Sequence, residues 1–226
     1  GKGTRVGLEI PKQYYEVNGK AVISYCLHTF LTHEEIDVVQ IVADEMWRGY
    51  IMQQLFRLPY NAKFREFSAP GENRQLSIYN ALVDIRGYAL ENDTVVIPDA
   101  ARPCVSAAQI ADCLKAAKGH DGTLPVLPMK DTVYLSEDGK VVSSLLDRGN
   151  VFAGQAPEVF LLGRYYEANR ALLPDKILEI NGSTVPAVMA GMDIAMIPGD
   201  ERNFKITTAT DVERFRENVQ KDGCKA

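Results

Sequence analysis

TVVIPDAARPCVSAAQIADCLKAAK, residues 94–118, passes from a short apolar run through an acidic, proline-flanked loop into a segment of helical period. The run TVVIP at 94–98 predicts a buried strand ending at Asp99. Ser106 and Gln109 have the spacing of a capping box, which predicts that a helix opens there. The same alternation extends outward in both directions. Toward the N-terminus, residues 74–86 place Leu76, Ala81, Leu82 and Ile85 on one helical stripe, and AKFREF at 62–67 reads as a strand. DEMWRGYIMQQLF at 44–56 reads as a helix, IDVVQIVA at 36–43 as a strand and AVISYCLHTFL at 21–31 as a helix. Toward the C-terminus, VYLSEDGKVV at 133–142 predicts a β-hairpin turning at Asp138-Gly139, and Thr210 with Glu213 predicts a second capped helix. Strands alternating with helices are the pattern of an α/β protein with a parallel sheet.

The 226 residues, 46% of them hydrophobic, suffice for one substantial core, so a single domain over 1–226 is expected. A net charge of -5 without Lys/Arg runs argues against a broad nucleic-acid face, so any anionic ligand must be met by a few local cations. The absence of an apolar stretch of roughly 18 residues or a signal-like start predicts a soluble, cytoplasmic protein with no membrane partner. Cys26, Cys104, Cys113 and Cys224 form no CxxC pair, which predicts reduced thiols. His28, His33 and His120 lack metal-ligand spacing. The chain opens on a glycine-rich loop, which in an α/β nucleotide fold follows the central strand, so a strand upstream of Gly1 is expected to fill the middle of the sheet.

Five segments carry candidate chemistry. In GKGTRVGLEIPK, residues 1–12, Gly1 and Gly3 permit close approach to phosphate while Arg5 and Lys12 supply cations, although a plain surface loop has the same composition. In PGENRQLS, 70–77, the amides of a helix start and the Ser77 hydroxyl could meet a polar ligand; a simple helix entry capped by Asn73 is the other reading. PDAARP, 98–103, places Asp99 where open α/β sheets hold ligand and metal groups, and Asp99 suits Mg2+ as well as a turn. KDT at 130–132 and DRG at 147–149 bracket the expected hairpin and place Arg148 near its base. Lys205 lies in ERNFKITT, 201–208, in a short β-like run, either functional or solvated.

The order GxGxR…PKQ, PGxxR…S, DAARP, PxxDT, DR, NxKIT resembles the 2-C-methyl-D-erythritol 4-phosphate cytidylyltransferase family and the related ribitol 5-phosphate cytidylyltransferases, from Gly1 to about Phe215. The resemblance implies a Rossmann-like, mostly parallel sheet flanked by helices, with a protruding β-hairpin arm at roughly 128–148 that reaches across a homodimer. It implies transfer of CMP from CTP to a polyol phosphate, with Mg2+ and release of pyrophosphate. Arg5, Lys12 and Lys205 would stabilise the reacting phosphates; Gly1, Gly3, Gly71, Glu72, Ser77, Asp99 and Ala100 would bind the nucleotide, with Asp99 at the metal. Arg102, Thr132 and Arg148 would hold the acceptor.

Two departures fall on the acceptor side. The family's QTPQ is GQAPE here (154–158), with Ala156 in place of a phosphate-binding threonine, and the acidic TD(D/E)A segment is represented by NGSTVPA at 181–187. PMKDT and DRG favour methylerythritol phosphate as acceptor, while the departures favour ribitol 5-phosphate or another polyol phosphate. A nucleotide-binding domain without catalysis is the alternative of another class. Retention of Arg5, Lys12 and Lys205 together speaks against it.

Overall fold

The computed structural model describes residues 10–221. A 3-10 turn over Lys12–Tyr14 leads into the ribbon β1 (Glu16–Val17) and β2 (Lys20–Ala21). The chain continues through α1 (Val22–Thr32), β3 (Val39–Val42), α2 (Glu45–Leu55), β4 (Phe64–Ser68), α3 (Arg74–Ile85), β5 (Thr94–Ile97) and α4 (Ala107–Ala116). Next come β6 (Gly122–Pro128), β7 (Val133–Leu135), β8 (Ser144–Leu146), β9 (Phe152–Gly154) and β10 (Glu158–Leu161). The last elements are α5 (Leu162–Arg170), α6 (Lys176–Glu179), α7 (Val185–Met189), β11 (Ile194–Pro198) and α8 (Ala209–Gln220).

The main sheet has the order β11-β6-β10-β5, with β9 extending β6. Because β10 is antiparallel to both β5 and β6, and β11 is parallel to β6, the strands β5, β6 and β11 share one direction and only β10 and β9 reverse it. This is the mostly parallel α/β sheet that the alternating pattern implies. The pair β3–β4 is also parallel and forms a separate ribbon. Among the described residues no strand joins β3 to β5. Their edges face a cleft of about 1990 Å³, closed on one side by α1 (Ile23, Cys26, Leu27) and on the other by α3 (Ile78, Ala81, Leu82). The strand expected upstream of Gly1 lies outside the described residues.

Apolar burial fixes the remaining layers. Phe160 of β10 stacks on Tyr165 of α5, with ring centroids 4.0 Å apart, in a cluster with Leu82, Val95 and Leu162. Burying each such side chain stabilises the fold by about 1.5–3 kcal/mol. Ile206 and Phe215 are fully buried against Val17, Val22 and Tyr25, so the end of the chain packs on its beginning.

The helix starts follow their caps. Asp44, Asn73 and Ser106 each accept a backbone N–H of the first turn, of Met46, Leu76 and Gln109 respectively. The last helix differs from its expected start. Thr208, not Thr210, is the N-cap, and Asp211, not Glu213, completes the capping box. The hairpin is also wider than expected. Val133 pairs with Leu146 and Leu135 with Ser144, while Val141 and Val142 lie in the loop. Asp138 Oδ1 accepts the amides of Lys140 (2.8 Å) and Val141 (3.0 Å) there. Gly139 sits beside it at φ +70°, a conformation that suits glycine. Cys26 and Cys113 are buried free thiols, but Cys104 is disulfide-bonded, contrary to the expectation of four reduced cysteines. No helix among the described residues is long and apolar enough to cross a membrane.

Candidate active site

The β5 strand delivers its C-terminal end into a tight turn. Asp99 Oδ1 accepts the Ala101 amide at 3.0 Å and the Asp99 carbonyl accepts the Arg102 amide at 2.8 Å. The second Asp99 oxygen meets Lys205 Nζ at 2.7 Å. The turn reading of Asp99 therefore holds, and its other oxygen carries the ion pair. Burial pushes this carboxyl up. The Lys205 ammonium, the Arg74 charge and the Ala101 amide outweigh burial and hold it below the ordinary carboxylate value.

Lys205 lies in an irregular segment rather than the expected β-like run, and it is fixed from both sides. On one side, Asn203 is fully buried and donates through Nδ2 to the carbonyl of Ala156 (2.7 Å) and to Gln109 Oε1 (2.8 Å). On the other, the buried Ile206 donates its amide to the Ala101 carbonyl at 2.8 Å. Lys12 approaches from the opposite end of the sequence. Its Nζ donates to the Ile206 carbonyl at 2.6 Å, one residue beyond Lys205. Two residues after Lys12, Tyr14 is buried and stacks on Trp47 with centroids 4.3 Å apart, which anchors the turn that aims Lys12.

The third wall is the entry to α3. Gly71 N donates to Ser77 Oγ at 3.0 Å, and that hydroxyl donates to the Asn73 carbonyl at 2.8 Å, closing the loop on itself. A Cβ on Gly71 would lie 2.5–2.8 Å from Leu76, so the loop has room for glycine alone. Asn73 is indeed the helix cap, and its side-chain amide also reaches the Ile177 carbonyl at 2.8 Å. Lys12, Gly71, Glu72, Ser77, Asp99, Ala100 and Lys205 all line the one cleft.

Other expected site residues lie elsewhere. Arg102 donates to the Asn203 carbonyl and braces the Lys205 segment from outside the cleft lining. Thr132 and Arg148 are exposed at the base of the hairpin, where Arg148 donates to the Lys130 carbonyl at 2.8 Å, and neither lines the cleft. Gly1, Gly3 and Arg5 lie outside the described residues.

Sequence reasoning passed over Arg74 and Glu158. Arg74 lines the cleft, donates to Ser183 Oγ at 2.7 Å and also to the Pro98 carbonyl at 3.3 Å. Glu158 is 8% exposed and accepts the hydroxyls of Ser183 (2.5 Å) and Thr184 (3.3 Å). Burial pushes its carboxyl up, against the pull of Ser183 and Arg74. The two segments that depart from the family pattern, 154–158 and 181–187, thus meet at the Glu158 carboxylate. The only sequence signal for Arg74 was its place in PGxxR.

No group of three His, Cys, Asp or Glu among the described residues is arranged to hold a metal ion. A lone, mostly buried carboxylate such as Asp99 still fits Mg2+, which commonly takes one or two carboxylates and completes its shell with substrate phosphates and water.

A family model described as IspD, 2-C-methyl-D-erythritol 4-phosphate cytidylyltransferase, matches residues 1–219. A bifunctional IspD/IspF enzyme of Paramagnetospirillum magneticum is 33% identical over 96% of this chain, which spans only 54% of that relative. The 2-C-methyl-D-erythritol 4-phosphate cytidylyltransferase of Clostridium beijerinckii is 29% identical over 97% of this chain and 96% of its own. A ribitol-5-phosphate cytidylyltransferase of Lacticaseibacillus paracasei is 28% identical over 96% of this chain and 93% of its own. The solved 2-C-methyl-D-erythritol 4-phosphate cytidylyltransferase of Francisella tularensis superposes with a TM-score of 0.79 at 27% identity, covering 96% of this chain and 94% of that one. With its motifs in order and its cations gathered on one cleft, the chain belongs to the 2-C-methyl-D-erythritol 4-phosphate cytidylyltransferase family.

Proposed function

We propose that this protein joins CMP from CTP to 2-C-methyl-D-erythritol 4-phosphate and releases pyrophosphate, a step of isoprenoid precursor synthesis. The observation that carries this reading is the meeting of Lys12, Asp99 and Lys205, drawn from both ends of the sequence, on one cleft. An acceptor phosphate oxygen forms a bond to the α-phosphorus of CTP as the bond to the bridging oxygen breaks, and pyrophosphate leaves with that electron pair. Negative charge builds on the five-coordinate phosphorus. The ammonium groups of Lys12 and Lys205 stabilise it without having to reorganise, and Arg5 adds a third cation. Gly71, Glu72, Ser77 and Ala100 bind the nucleotide, and Asp99 would hold a Mg2+, which would supply neutralisation of phosphate charge. Arg102, Thr132 and Arg148 serve the acceptor.

The exposed place of Thr132 and Arg148 supports a homodimer in which the hairpin of one subunit serves the cleft of the other. The same reading has one nucleotidyltransferase domain working in the cytoplasm. A second acceptor, ribitol 5-phosphate, is favoured by Ala156 and by the acid-free segment at 181–187. Pyrophosphate release is measured with CTP and each polyol phosphate in turn. Release with methylerythritol phosphate supports the first reading, and release with ribitol 5-phosphate alone replaces it. CTP binding with no release for any acceptor would leave a non-catalytic nucleotide-binding domain.

A further inference from the structure

Glu158, Ser183, Arg74 and Pro98 form a continuous chain of contacts that ends one residue before Asp99. Glu158 opens β10, directly opposite Ile97 in the last register position of β5. Its carboxylate accepts the Ser183 hydroxyl, and the same hydroxyl oxygen accepts from Arg74 Nη1 at 2.7 Å. Ser183 cannot swing away, because its carbonyl accepts the buried Tyr165 hydroxyl at 2.7 Å. Tyr165 is in turn held by Gln75 at 3.1 Å, the residue after Arg74. The second arm of the guanidinium, Nη2, reaches the Pro98 carbonyl at 3.3 Å. A planar fork is suited to this: it reaches two acceptors in fixed directions, which a lysine cannot do.

We propose that Arg74 is a positioning residue for Asp99, clamped by Glu158 through Ser183, so that the turn carrying the metal-binding carboxylate is set from the acceptor side of the sheet. Without the clamp the turn keeps its own short hydrogen bonds, the Ile206 amide on the Ala101 carbonyl and the Lys205 ion pair, which nucleotide phosphates compete for. The metal part of this inference rests on the assignment of Asp99 under the proposed function, whereas the placement of the turn does not.

The test uses the whole chain with Arg74→Lys, Arg74→Met, Glu158→Gln and, as reference, Asp99→Asn. Hydrogen exchange of the Ala101 and Arg102 amides, both bonded to Asp99, reads the turn directly in the free protein. Exchange there is expected to quicken by about tenfold in Arg74→Lys and Glu158→Gln, the scale of one charge-assisted hydrogen bond, while amides of α8 keep their rates. Unchanged exchange at Ala101 and Arg102 overturns the proposal. The half-saturating Mg2+ concentration for pyrophosphate release is expected to rise several-fold in the same variants and more in Asp99→Asn. If Asp99→Asn raises it and the Arg74 and Glu158 variants do not, the clamp holds the turn without positioning the carboxylate, and the proposal falls. If Asp99→Asn leaves it unchanged, the metal assignment of Asp99 fails instead, and exchange at the turn decides the clamp alone. Should Glu158→Gln fail to fold, Arg74→Lys, which keeps the charge and breaks the fork, carries the same readouts.

Discussion

The residues proposed to hold the nucleotide and those proposed to hold the acceptor are set in the fold in opposite ways. Lys12, Asp99 and Lys205 are braced by neighbours from distant parts of the same chain, Ser77 closes its own loop, and all four line one cleft. Thr132 and Arg148 stand on an exposed hairpin whose apolar residues Tyr134 (58% exposed) and Leu145 (66% exposed) are left largely uncovered by the described residues. The difference teaches that Lys12, Asp99 and Lys205, proposed for the reacting phosphates, are held together within one chain, while Thr132 and Arg148, proposed for the acceptor, stand on a surface that this chain leaves open.

The contrast can be broken most sharply at Lys12. Lys12→Ala is expected to lower turnover by at least about a hundredfold, the effect of removing one preorganised charge-stabilising group. Near-normal turnover in a steady-state assay would end its assignment to the nucleotide half. Arg148→Ala should instead raise the KM for the polyol phosphate by about tenfold or more, the scale of a lost charge-assisted hydrogen bond, and leave CTP binding unchanged. An equal loss in CTP affinity by calorimetry would erase the division between the halves. Gly71→Ala forces a methyl against Leu76 and should cost about 1–3 kcal/mol in denaturant unfolding, with weakened CTP binding and no effect on an isolated acceptor site.

The smallest effect concerns pH. The Asp99 carboxyl is held below its ordinary value of 3.8, so it takes up protons more weakly folded than unfolded. Its stabilising contribution is therefore present above that value and lost as pH falls through the folded one. The stability difference between the native protein and Asp99→Asn should be constant near neutrality and change only below about pH 4. A change centred near pH 7 would contradict the ion pair with Lys205.

Much of this arrangement is legible in the amino-acid sequence. The strand at 94–97, the α1, α2 and α3 helices and the Ser106 cap are local patterns, and they form where the sequence places them, although of that strand Val95 alone is buried among the described residues. Lys12, Asp99 and Lys205 can be grouped because their motifs occur in a family order. The misses share a physical cause: they depend on partners far away in sequence or on a choice among near-equal neighbours. Three threonines lie at 207, 208 and 210, and only packing decides which one caps; the short Asp211 side chain then reaches the amides of Thr207 and Thr208, both at 2.8 Å. The hairpin slipped because Ser136 Oγ donates to the Val141 carbonyl at 2.6 Å and holds that segment in the loop. Arg74, Ser183 and Glu158 are ordinary polar residues until the sheet brings them together.

The hydrogen bond from Lys12 to the carbonyl of Ile206 ties the first described turn to a segment 194 residues later. A ribosome therefore cannot release a working half-site early: until the last stretch before α8 has emerged and docked, Lys12 has no Ile206 carbonyl to hold it and Asp99 no ammonium beside it. On the proposed function, nucleotide capture comes late in this polypeptide's synthesis, since any nascent chain stopped short of Lys205 lacks the second of the two lysines proposed to grip the triphosphate.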